Sequence, residues 1–538
     1  MDRREFIGSL ACAGGLAAFQ GCRGFRLGRN GDAPPNYWCT WATQARLVDA
    51  NAKSGLLNYP GDQGLPGARD NLDENVLFGK DGWANTQYPQ VRDDLLLVLD
   101  DGWDVPYGCH PARNLEAFSS LELNLLRFPS FKGSPAERLT ALNRRAKACG
   151  WRGAGLWVAC QAFGENAKNR LPDAALREEL KRKLGWCAEA GIAYWKVDWG
   201  ARCFEIRYRE LMSELKAAYA PDLKIEHCWS IGFTLNGVKF GKGVEVTGDG
   251  RLVGNAEFEA KFRKPTEAML ACADAFRIYD TITPINNATD LERAVVYGMM
   301  AEKVGSGAWI NVEDNAMIAA CLGHTTGVMR SPLWPEPEVA DPVYRRERTE
   351  EIVSAVAWQR EAPAFTAKSG LRTLVSDRAL TDRWTFEPGC TWWRPVFGRT
   401  VEQRAPAVVA RGLPLPEVRG RAGDVPFVLA SRNPSGALAV GALPRLLPGK
   451  GLHTPPADVR LDATLEAGRP LGVFGGFASV TVRVDGPVGA VRVRRMSGGP
   501  ERDIAAACSV EGGWLRIPGE ALALGGCDRS IPAVRVEV

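Results

Sequence analysis

The feature that most constrains the fold is the alternation of short apolar runs with helix-patterned segments between about residues 36 and 334. Such alternation is typical of βα units around a parallel sheet. The runs that read as strands are 37–41, 95–100, 155–160, 193–198, 223–228, 275–279, 308–312 and a weaker one at 328–333. Eight βα units close a barrel, and about 300 residues suit a barrel with insertions. The sequence therefore predicts an α/β fold, a (β/α)8 TIM barrel.

Three segments carry a clear helical pattern. Residues 135–149 follow Ser134, a favourable N-cap, and residues 174–190 place leucines at three- and four-residue spacing. A further helix is expected at 349–358, after a charged stretch.

The composition changes beyond about residue 365. Lysine occurs there only at Lys368 and Lys450, while proline, glycine and alternating runs such as 480–484 become frequent. This texture predicts a C-terminal antiparallel β-sandwich over 365–538, following a catalytic barrel over 36–364. The proline-rich segment 443–456 is either a loop of the sandwich or a boundary between two smaller units.

The N-terminus reads as an export signal at 1–22, followed by a linker at 23–35. A charged head precedes an apolar run, and the pair Arg3-Arg4 resembles a twin-arginine signal. Gly21-Cys22 resembles the end of a lipoprotein box, although Phe19 and Gln20 depart from it. The alternative is a short buried helix. We expect an exported protein, periplasmic or membrane-anchored through a lipid on Cys22.

The composition limits the ligands and catalytic groups that this chain can use. A net charge of +4 leaves no basic field for nucleic acid, and the four histidines show no metal-ligand spacing. No C-x-x-C pair occurs among the 14 cysteines, which are expected to be mostly buried thiols with one or two disulfides left open. No cofactor or metal is expected, so carboxylates must carry any acid/base chemistry.

Three apolar runs end in charged side chains, which in a barrel of this kind places them at the catalytic face. The first is followed by Asp100 and Asp101, the second carries Lys196 and Asp198 on one side, and the third carries Arg277 before Asp280. Inward charges are costly unless paired, and Lys196 beside Asp198 offers a pairing.

Carboxylates beside aromatic rings suit a sugar, because hydroxyls need charged acceptors and the apolar sugar face stacks on tryptophan. Two opposed carboxylates are also what glycoside cleavage requires. Glu226, at the fifth strand end, is expected to line the site. Of the tryptophans, each more often core than platform, we take Trp41, Trp103 and Trp199 as the candidates for sugar contact.

A resemblance makes this specific. Asp-Asp-Gly-Trp at 100–103, Tyr-Trp-Lys-Val-Asp-Trp at 194–199 and Arg-Ile-Tyr-Asp at 277–280 are similar to signatures of the α-galactosidase clan, glycoside hydrolase families 27 and 36. The first-strand segment 37–41 and the segments 310–315 and 331–333 resemble the clan in the same order. The similarity covers about residues 36–335.

The resemblance implies a role for each matching residue. Asp198 would be the nucleophile and Asp280 the general acid/base, while Asp100, Asp101 and Lys196 would bind sugar hydroxyls. Arg277 would bind near the 2-hydroxyl. Because the surroundings of Asp280 depart from the clan pattern, the alternative acids are Asp249, Glu226 and Asp314.

The leading functional hypothesis is a retaining exo-glycosidase acting on terminal α-galactoside-like linkages. One alternative is a glycosyl-transferring member of the same clan, and another is a catalytically silent carbohydrate-binding barrel. The expected partner is a carbohydrate, whose glycone stays open between galactose, N-acetylgalactosamine, arabinopyranose and others. The sequence leaves the oligomeric state undetermined.

Overall fold

The first half of the described chain is built from eight parallel strands. The computed structural model describes residues 33–48, 68–166, 168–228, 244–246, 252–254, 263–278, 286–329, 346–385, 400–420, 424–447, 451–523 and 533–538, and the chain from Pro34 onwards forms one compact unit. The strands are β1 (Tyr37–Cys39), β2 (Leu96–Leu99), β3 (Gly153–Val158), β4 (Tyr194–Val197), β5 (Lys224–His227), β6 (Ala275–Ile278), β7 (Trp309–Glu313) and β8 (Thr325–Val328).

These strands form a closed barrel in sequence order. Tyr37 on β1 pairs with Leu96 on β2 and with Gly327 on β8, so the first strand joins the two ends of the sheet. Every neighbouring pair is parallel. The predicted TIM barrel is confirmed. A two-stranded hairpin, Val244–Val246 with Leu252–Gly254, lies in the connection between β5 and β6.

Helices connect the strands of the barrel and cover its outside, and the short helix Gly519–Leu522 lies in the C-terminal part. The described helices are α1 (Trp41–Val48), α2 (Glu74–Phe78), α3 (Trp83–Thr86), α4 (Pro111–Asn114), α5 (Pro135–Ala148), α6 (Asp173–Ala190), α7 (Ile206–Tyr219), α8 (Lys264–Cys272), α9 (Asn286–Lys303), α10 (Ala316–Leu322), α11 (Arg346–Trp358) and α12 (Gly519–Leu522). Ser134 caps α5 through a reciprocal capping box with Glu137, as a Ser-x-x-Glu pattern allows. The three predicted helices are confirmed within a few residues.

Two barrel boundaries differ from the expectation. The eighth strand is Thr325–Val328, so the predicted run 328–333 begins where the strand ends. A β carbon on Gly327 would lie 2.8 Å from the hydroxyl of Tyr37, so this strand needs a glycine where apolar patterning expects a large side chain. Trp41 begins α1 instead of extending β1.

The C-terminal part is a sandwich of two main sheets. The larger sheet contains, in spatial order, Thr373–Val375, Val408–Arg411, Phe427–Arg432, Leu438–Leu443, Leu471–Phe474, Ala533–Glu537, Arg492–Arg495 and Arg502–Asp503. The smaller sheet contains Glu417–Gly420, Ala457–Leu465, Ser479–Val484, Trp514–Pro518 and Ser509–Glu511. Two further antiparallel pairs are Ala379–Thr385 with Thr400–Pro406 and Arg445–Leu447 with Gly451–His453.

The predicted sandwich is confirmed, with one difference in strand direction. Most neighbouring pairs are antiparallel, but three are parallel, the pairs Val408–Arg411 with Phe427–Arg432, Leu438–Leu443 with Leu471–Phe474 and Ala457–Leu465 with Ser479–Val484. The segment 443–456, for which the sequence allows either a loop of the sandwich or a boundary between two units, contains the antiparallel pair Arg445–Leu447 with Gly451–His453.

The central strands of the larger sheet are buried on both faces. Along Phe427–Arg432, Val428 and Ala430 belong to the core between the two sheets, whereas Phe427 and Leu429 belong to the core shared with the barrel helices. This explains why the strand is apolar throughout instead of alternating. The sheet is therefore the layer that joins sandwich to barrel.

Two other expectations concern the thiols and the membrane. The ten cysteines within the described ranges are all free. Among the helices of the described part, none is long and apolar enough to cross a bilayer. The predicted export signal at 1–22, with Cys22, lies outside the described residues.

Candidate active site

The inner face of the barrel combines apolar side chains with a cluster of charged groups at the carboxyl ends of the strands. Successive residues of a strand point to opposite sides, so the residues that face inward are two apart in sequence. The apolar members of the interior include Tyr37, Cys39, Leu96, Val98, Tyr194, Ala275 and Met329. The charged members are Asp100, Lys196, Asp198, Glu226, Arg277 and Glu313.

Lys196 is the first of two buried cations in this cluster. Its Nζ lies 3.0 Å from Oδ2 of Asp100 and 3.2 Å from Oε1 of Glu313, and it also donates to the Cys39 sulfur at 3.3 Å. Burial alone would lower the pKa of Lys196, but Asp100 and Glu313 outweigh it and raise that pKa well above the usual value. Lys196 is therefore a permanent cation at the end of β4.

Arg277 on β6 is the second cation, and it joins three carboxylates. Its Nη2 donates to Oδ2 of Asp198 at 2.9 Å, and its Nη1 donates to Oε2 of Glu313 at 2.9 Å. Its Nε lies 3.5 Å from Oε1 of Glu226. Glu313 thus touches both Lys196 and Arg277, which crosslinks strands β4, β6 and β7.

Asp198 follows β4 and keeps contact with solvent, its side chain being 16% exposed. Burial opposes its ionisation, but Arg277 and Lys196 outweigh burial and lower its pKa below the usual value. The turn after Asp198 is tight, because a β carbon on Gly200 would lie 2.6–2.7 Å from backbone atoms of Cys160. Asp198 is consequently an accessible anion on a firmly packed turn.

Glu226 on β5 has the opposite electrostatic setting. It accepts a hydrogen bond from the Tyr194 hydroxyl at 2.7 Å and another from the Asn311 amide. Burial is the largest influence and raises the pKa of Glu226, although Arg277 works against it. Two carboxylates a few ångströms from one arginine therefore differ in proton affinity.

Asp101 forms a second buried pair beside the cluster. Its Oδ2 lies 2.6 Å from Nη2 of Arg69, and its backbone N–H donates to Oδ1 of Asp100 at 2.8 Å. Burial raises the pKa of Asp101 to about 6, and the nearby Arg69 counteracts only part of this rise.

The three candidate tryptophans lie in different surroundings. Trp199 is half-buried, next to Asp198, with its ring 5.0 Å from those of Phe118 and Trp157. Trp41 is half-buried against the apolar barrel interior. Trp103 is fully buried, and its indole N–H donates to the Trp157 carbonyl at 2.9 Å. The expectation that Trp103 offers a face to a sugar is corrected, because its ring is part of the hydrophobic core.

The candidates for the acid are distributed unevenly. Asp280 and Asp249 lie outside the described residues. Asp314 is described, and its Oδ1 accepts the Met329 N–H at 2.9 Å while its backbone takes a positive φ of 53°. Its carboxylate therefore holds the end of β8.

Several residues of the cluster were not singled out from the sequence. Glu313 and Asn311 are two apart at the end of β7, the same pattern as Lys196 and Asp198, so a signal for them existed. Tyr37, whose hydroxyl donates to Glu313 at 3.0 Å, looked like an ordinary strand residue. Arg69 had no sequence signal, because it comes from a connection and not from a strand end.

The charged cluster is held by ion pairs between side chains. Within the described ranges, no group of three His, Cys, Asp or Glu side chains is placed to hold a metal ion. The arrangement offers an accessible carboxylate, fixed cations and several carboxylate oxygens to a polyhydroxylated ligand.

Comparisons with known proteins give only distant similarities. No family model and no curated protein match this chain. A GH27 β-L-arabinopyranosidase from Geobacillus stearothermophilus, solved with arabinose, is 10% identical with a TM-score of 0.37, covering 74% of this chain and 87% of its own. An Anoxybacillus α-amylase is 10% identical with a TM-score of 0.36, and the alignment covers 94% of this chain and 98% of the amylase.

The carboxyl transferase domain of Rhizobium etli pyruvate carboxylase is 14% identical with a TM-score of 0.28, and the alignment covers 63% of this chain and 49% of the carboxylase chain. Such distant likenesses do not identify a reaction, which has to be inferred from the site residues.

Proposed function

We propose that this protein is a retaining exo-glycosidase that hydrolyses terminal α-galactoside-like linkages. The observation that carries the proposal is Asp198, an accessible and ionised carboxylate held by Arg277 at the end of a barrel strand. A nucleophilic carboxylate has to be ionised, fixed and open to its substrate, and Asp198 meets all three requirements.

The rest of the cluster supports a sugar as the ligand. Asp100, Lys196 and Glu226 lie on neighbouring or facing strand ends, where they offer charged acceptors and a charged donor to hydroxyls. Trp199 adds a half-buried aromatic ring beside Asp198. When a sugar binds, its hydroxyl groups can form hydrogen bonds with these charged side chains in place of some of the ion pairs between them, so that no charged group is left without a partner.

The proposed reaction has two steps. In the first, an Asp198 oxygen attacks the anomeric carbon, the bond to the leaving oxygen breaks, and a carboxylic acid protonates that oxygen. In the second, the resulting carboxylate removes a proton from water, whose oxygen attacks the anomeric carbon and releases Asp198. Arg277 favours the release because it stabilises the returning carboxylate.

We propose that the chain belongs to the α-galactosidase clan. We propose Asp280 as the acid because Arg-Ile-Tyr-Asp at 277–280 resembles a signature of that clan. Asp249, Glu226 and Asp314 are the alternatives. Asp280→Ala should lose most activity on substrates with poor leaving groups while glycosylation by activated aryl glycosides survives, because these need little protonation.

A panel of aryl glycosides tests the function. We expect p-nitrophenol release from one or more α-galactoside-like members, and proton NMR should show the retained anomer first. Asp198→Asn should abolish turnover with folding intact, and azide should restore part of the rate as a glycosyl azide. A variant that keeps most of its rate would remove Asp198 from the mechanism.

Two other functions would give different results in the same panel. A glycosyl-transferring enzyme would form longer products when acceptor sugars are added. A silent carbohydrate-binding barrel would release no p-nitrophenol but would still bind sugar in a calorimetric titration.

For location, we propose export through 1–22 with a lipid on Cys22. Radiolabelled palmitate incorporation that is lost in Cys22→Ala would support the lipid anchor, and a processed but unlabelled protein would contradict it.

A further inference from the structure

Arg69 lies beside the proposed site and has no role in the reaction described above. It is 1% exposed, and its guanidinium carbon lies 5.2 Å from the Phe118 ring and 5.4 Å from the Trp199 ring. Its Nη2 lies 2.6 Å from Oδ2 of Asp101. Two rings and one carboxylate thus fix the guanidinium next to the residue that follows Asp198.

This buried ion pair is incompletely satisfied. The Nε and Nη1 atoms of Arg69 and the Oδ1 atom of Asp101 are buried and make no hydrogen bond within the described part of the chain. A buried polar group without a partner costs about 1–3 kcal/mol, and most such groups in folded proteins have a protein or water partner. Because Nη2 of Arg69 lies 2.6 Å from Oδ2 of Asp101, the unpartnered atoms of the two side chains lie within a few ångströms of each other.

The local backbone holds the pair in this position. A β carbon on Gly102 would lie 2.7 Å from the Arg69 carbonyl oxygen, so the glycine after Asp101 permits the close approach of the two segments. Asp101 also donates its N–H to Asp100, which contacts Lys196. The pair is therefore continuous with the charged cluster.

The charges indicate what kind of group it takes. The charged cluster and the adjoining Arg69–Asp101 pair together contain five carboxylates (Asp100, Asp101, Asp198, Glu226 and Glu313) and three cations (Arg69, Lys196 and Arg277). This excess of negative charge disfavours an anionic sugar, while Arg69 itself disfavours an ammonium group. A neutral hydroxyl fits, since its oxygen can accept from Arg69 and its proton can go to Asp101.

We propose that Arg69 is a specificity-determining residue that, together with Asp101, binds one hydroxyl of a neutral sugar. This inference rests on the proposed glycosidase function. It adds a donor from the connection after α1 to the ligands predicted at strand ends.

The test compares wild type, Arg69→Met and Arg69→Lys on the best aryl glycoside and its monodeoxy analogues. In wild type, removing the bound hydroxyl should lower kcat/KM by about tenfold or more, because the pair is left unpartnered. Arg69→Met should lose this discrimination at one ring position only, and Arg69→Lys should retain part of it.

Arg138→Lys is the matched control for structural damage. Arg138 is a buried arginine on α5 that donates to the Leu123 carbonyl and to Glu122, and among the described residues it has no contact with Arg69 or with a carboxylate of the cluster. It should lower stability while keeping the wild-type pattern across the analogues.

Equal loss on every analogue in the Arg69 variants, or an unchanged pattern, would overturn the inference while leaving the glycosidase proposal standing. If wild type cleaves no aryl glycoside, the glycosidase proposal fails. Calorimetric titration of free sugars into wild type and Arg69→Met then decides whether Arg69 binds sugar, and equal affinities would overturn the inference as well.

Discussion

At the residue scale, Asp198 and Glu226 show that two carboxylates beside one arginine can have opposite pKa shifts. Both carboxylates contact Arg277, but Asp198 accepts a hydrogen bond from it at 2.9 Å, whereas Glu226 lies 3.5 Å from its Nε and is also close to the charge of Glu313. The pKa of Asp198 is lowered, and burial raises that of Glu226. The balance between burial and the neighbouring charges therefore decides which carboxylate is the stronger acid.

The raised pKa of Asp101, about 6, predicts a pH dependence of substrate binding. Above that pH Asp101 is an anion and accepts from a hydroxyl, so kcat/KM should fall as the pH drops through about 6. Asp101→Asn should remove this limb of the profile. Glu292→Gln is the control, since burial also raises the pKa of Glu292, to about 8, but its carboxylate accepts from the Gln403 amide and lies outside the cluster.

The same shift affects stability with the opposite sign. Because the folded-state pKa of Asp101 exceeds the ordinary aspartate value of 3.8, folding favours its protonated form. Its contribution is largest below pH 3.8 and is lost as the pH rises through about 6. A chemical-denaturation series should show this dependence reduced in Asp101→Asn, and an unchanged slope would contradict it.

Glu313 should be among the least replaceable charges of the barrel. Glu313→Gln leaves Lys196 and Arg277 each with one anion fewer in a buried setting, which should lower the free energy of unfolding by about 3–5 kcal/mol. Urea denaturation measures the loss. Glu466→Gln, which breaks an exposed pair with Arg432 in the sandwich, should have little effect, and equal losses would contradict the crosslinking role of Glu313.

At the scale of elements, β4 and the turn that follows it place the proposed nucleophile. Tyr194 and Lys196 face the barrel interior, while Trp195 and Val197 pack against the surrounding helices. The strand ends at a turn in which Gly200 touches the backbone of Cys160. A change in this turn should therefore reach Asp198.

Gly200→Ala should lower both the Tm and kcat/KM, because its β carbon would lie 2.6–2.7 Å from backbone atoms of Cys160 and the turn must shift. Gly185→Ala in α6 is the matched control. Nothing lies within 4 Å of a β carbon there, so the variant should keep its activity and gain stability, by about 1 kcal/mol at most. Similar melting curves for the two variants would refute the close-contact explanation.

At the scale of the whole molecule, the sandwich covers apolar barrel surface. A β carbon on Gly441 in the larger sheet would lie 2.5 Å from the Cys321 sulfur of α10, and one on Gly472 would lie 2.9 Å from the Trp358 ring of α11. Contacts this close make the sheet an integral cover of the barrel helices.

Removing the chain beyond residue 364, our proposed domain boundary, should expose this surface. We expect a 1–364 fragment to lose solubility and to bind a hydrophobic dye, since large exposed apolar patches promote association. Soluble yield and dye fluorescence relative to the full chain are the measurements. A soluble, fully active fragment would show that the sandwich is dispensable.

The sequence alone was sufficient for the fold and for the charged residues of the site other than Glu313 and Arg69. Apolar runs at regular intervals predicted the barrel because the period of strands and helices is local, and the two-residue spacing of Lys196 and Asp198 placed both side chains on one face. Loss of lysine and gain of alternating runs predicted the sandwich for the same local reason.

Other features depended on tertiary structure. Glu313 meets Lys196 and Arg277 only when the barrel closes, and Arg69 reaches Asp101 from a connection whose sequence carries no period. The apolar pattern does not predict the eighth strand at its true position, because the strand contains Gly327 where a large apolar side chain would be expected. Tyr37 occupies the space that such a side chain would fill. Local patterns determine which way a side chain points, whereas partners, burial and pKa depend on residues that are distant in sequence.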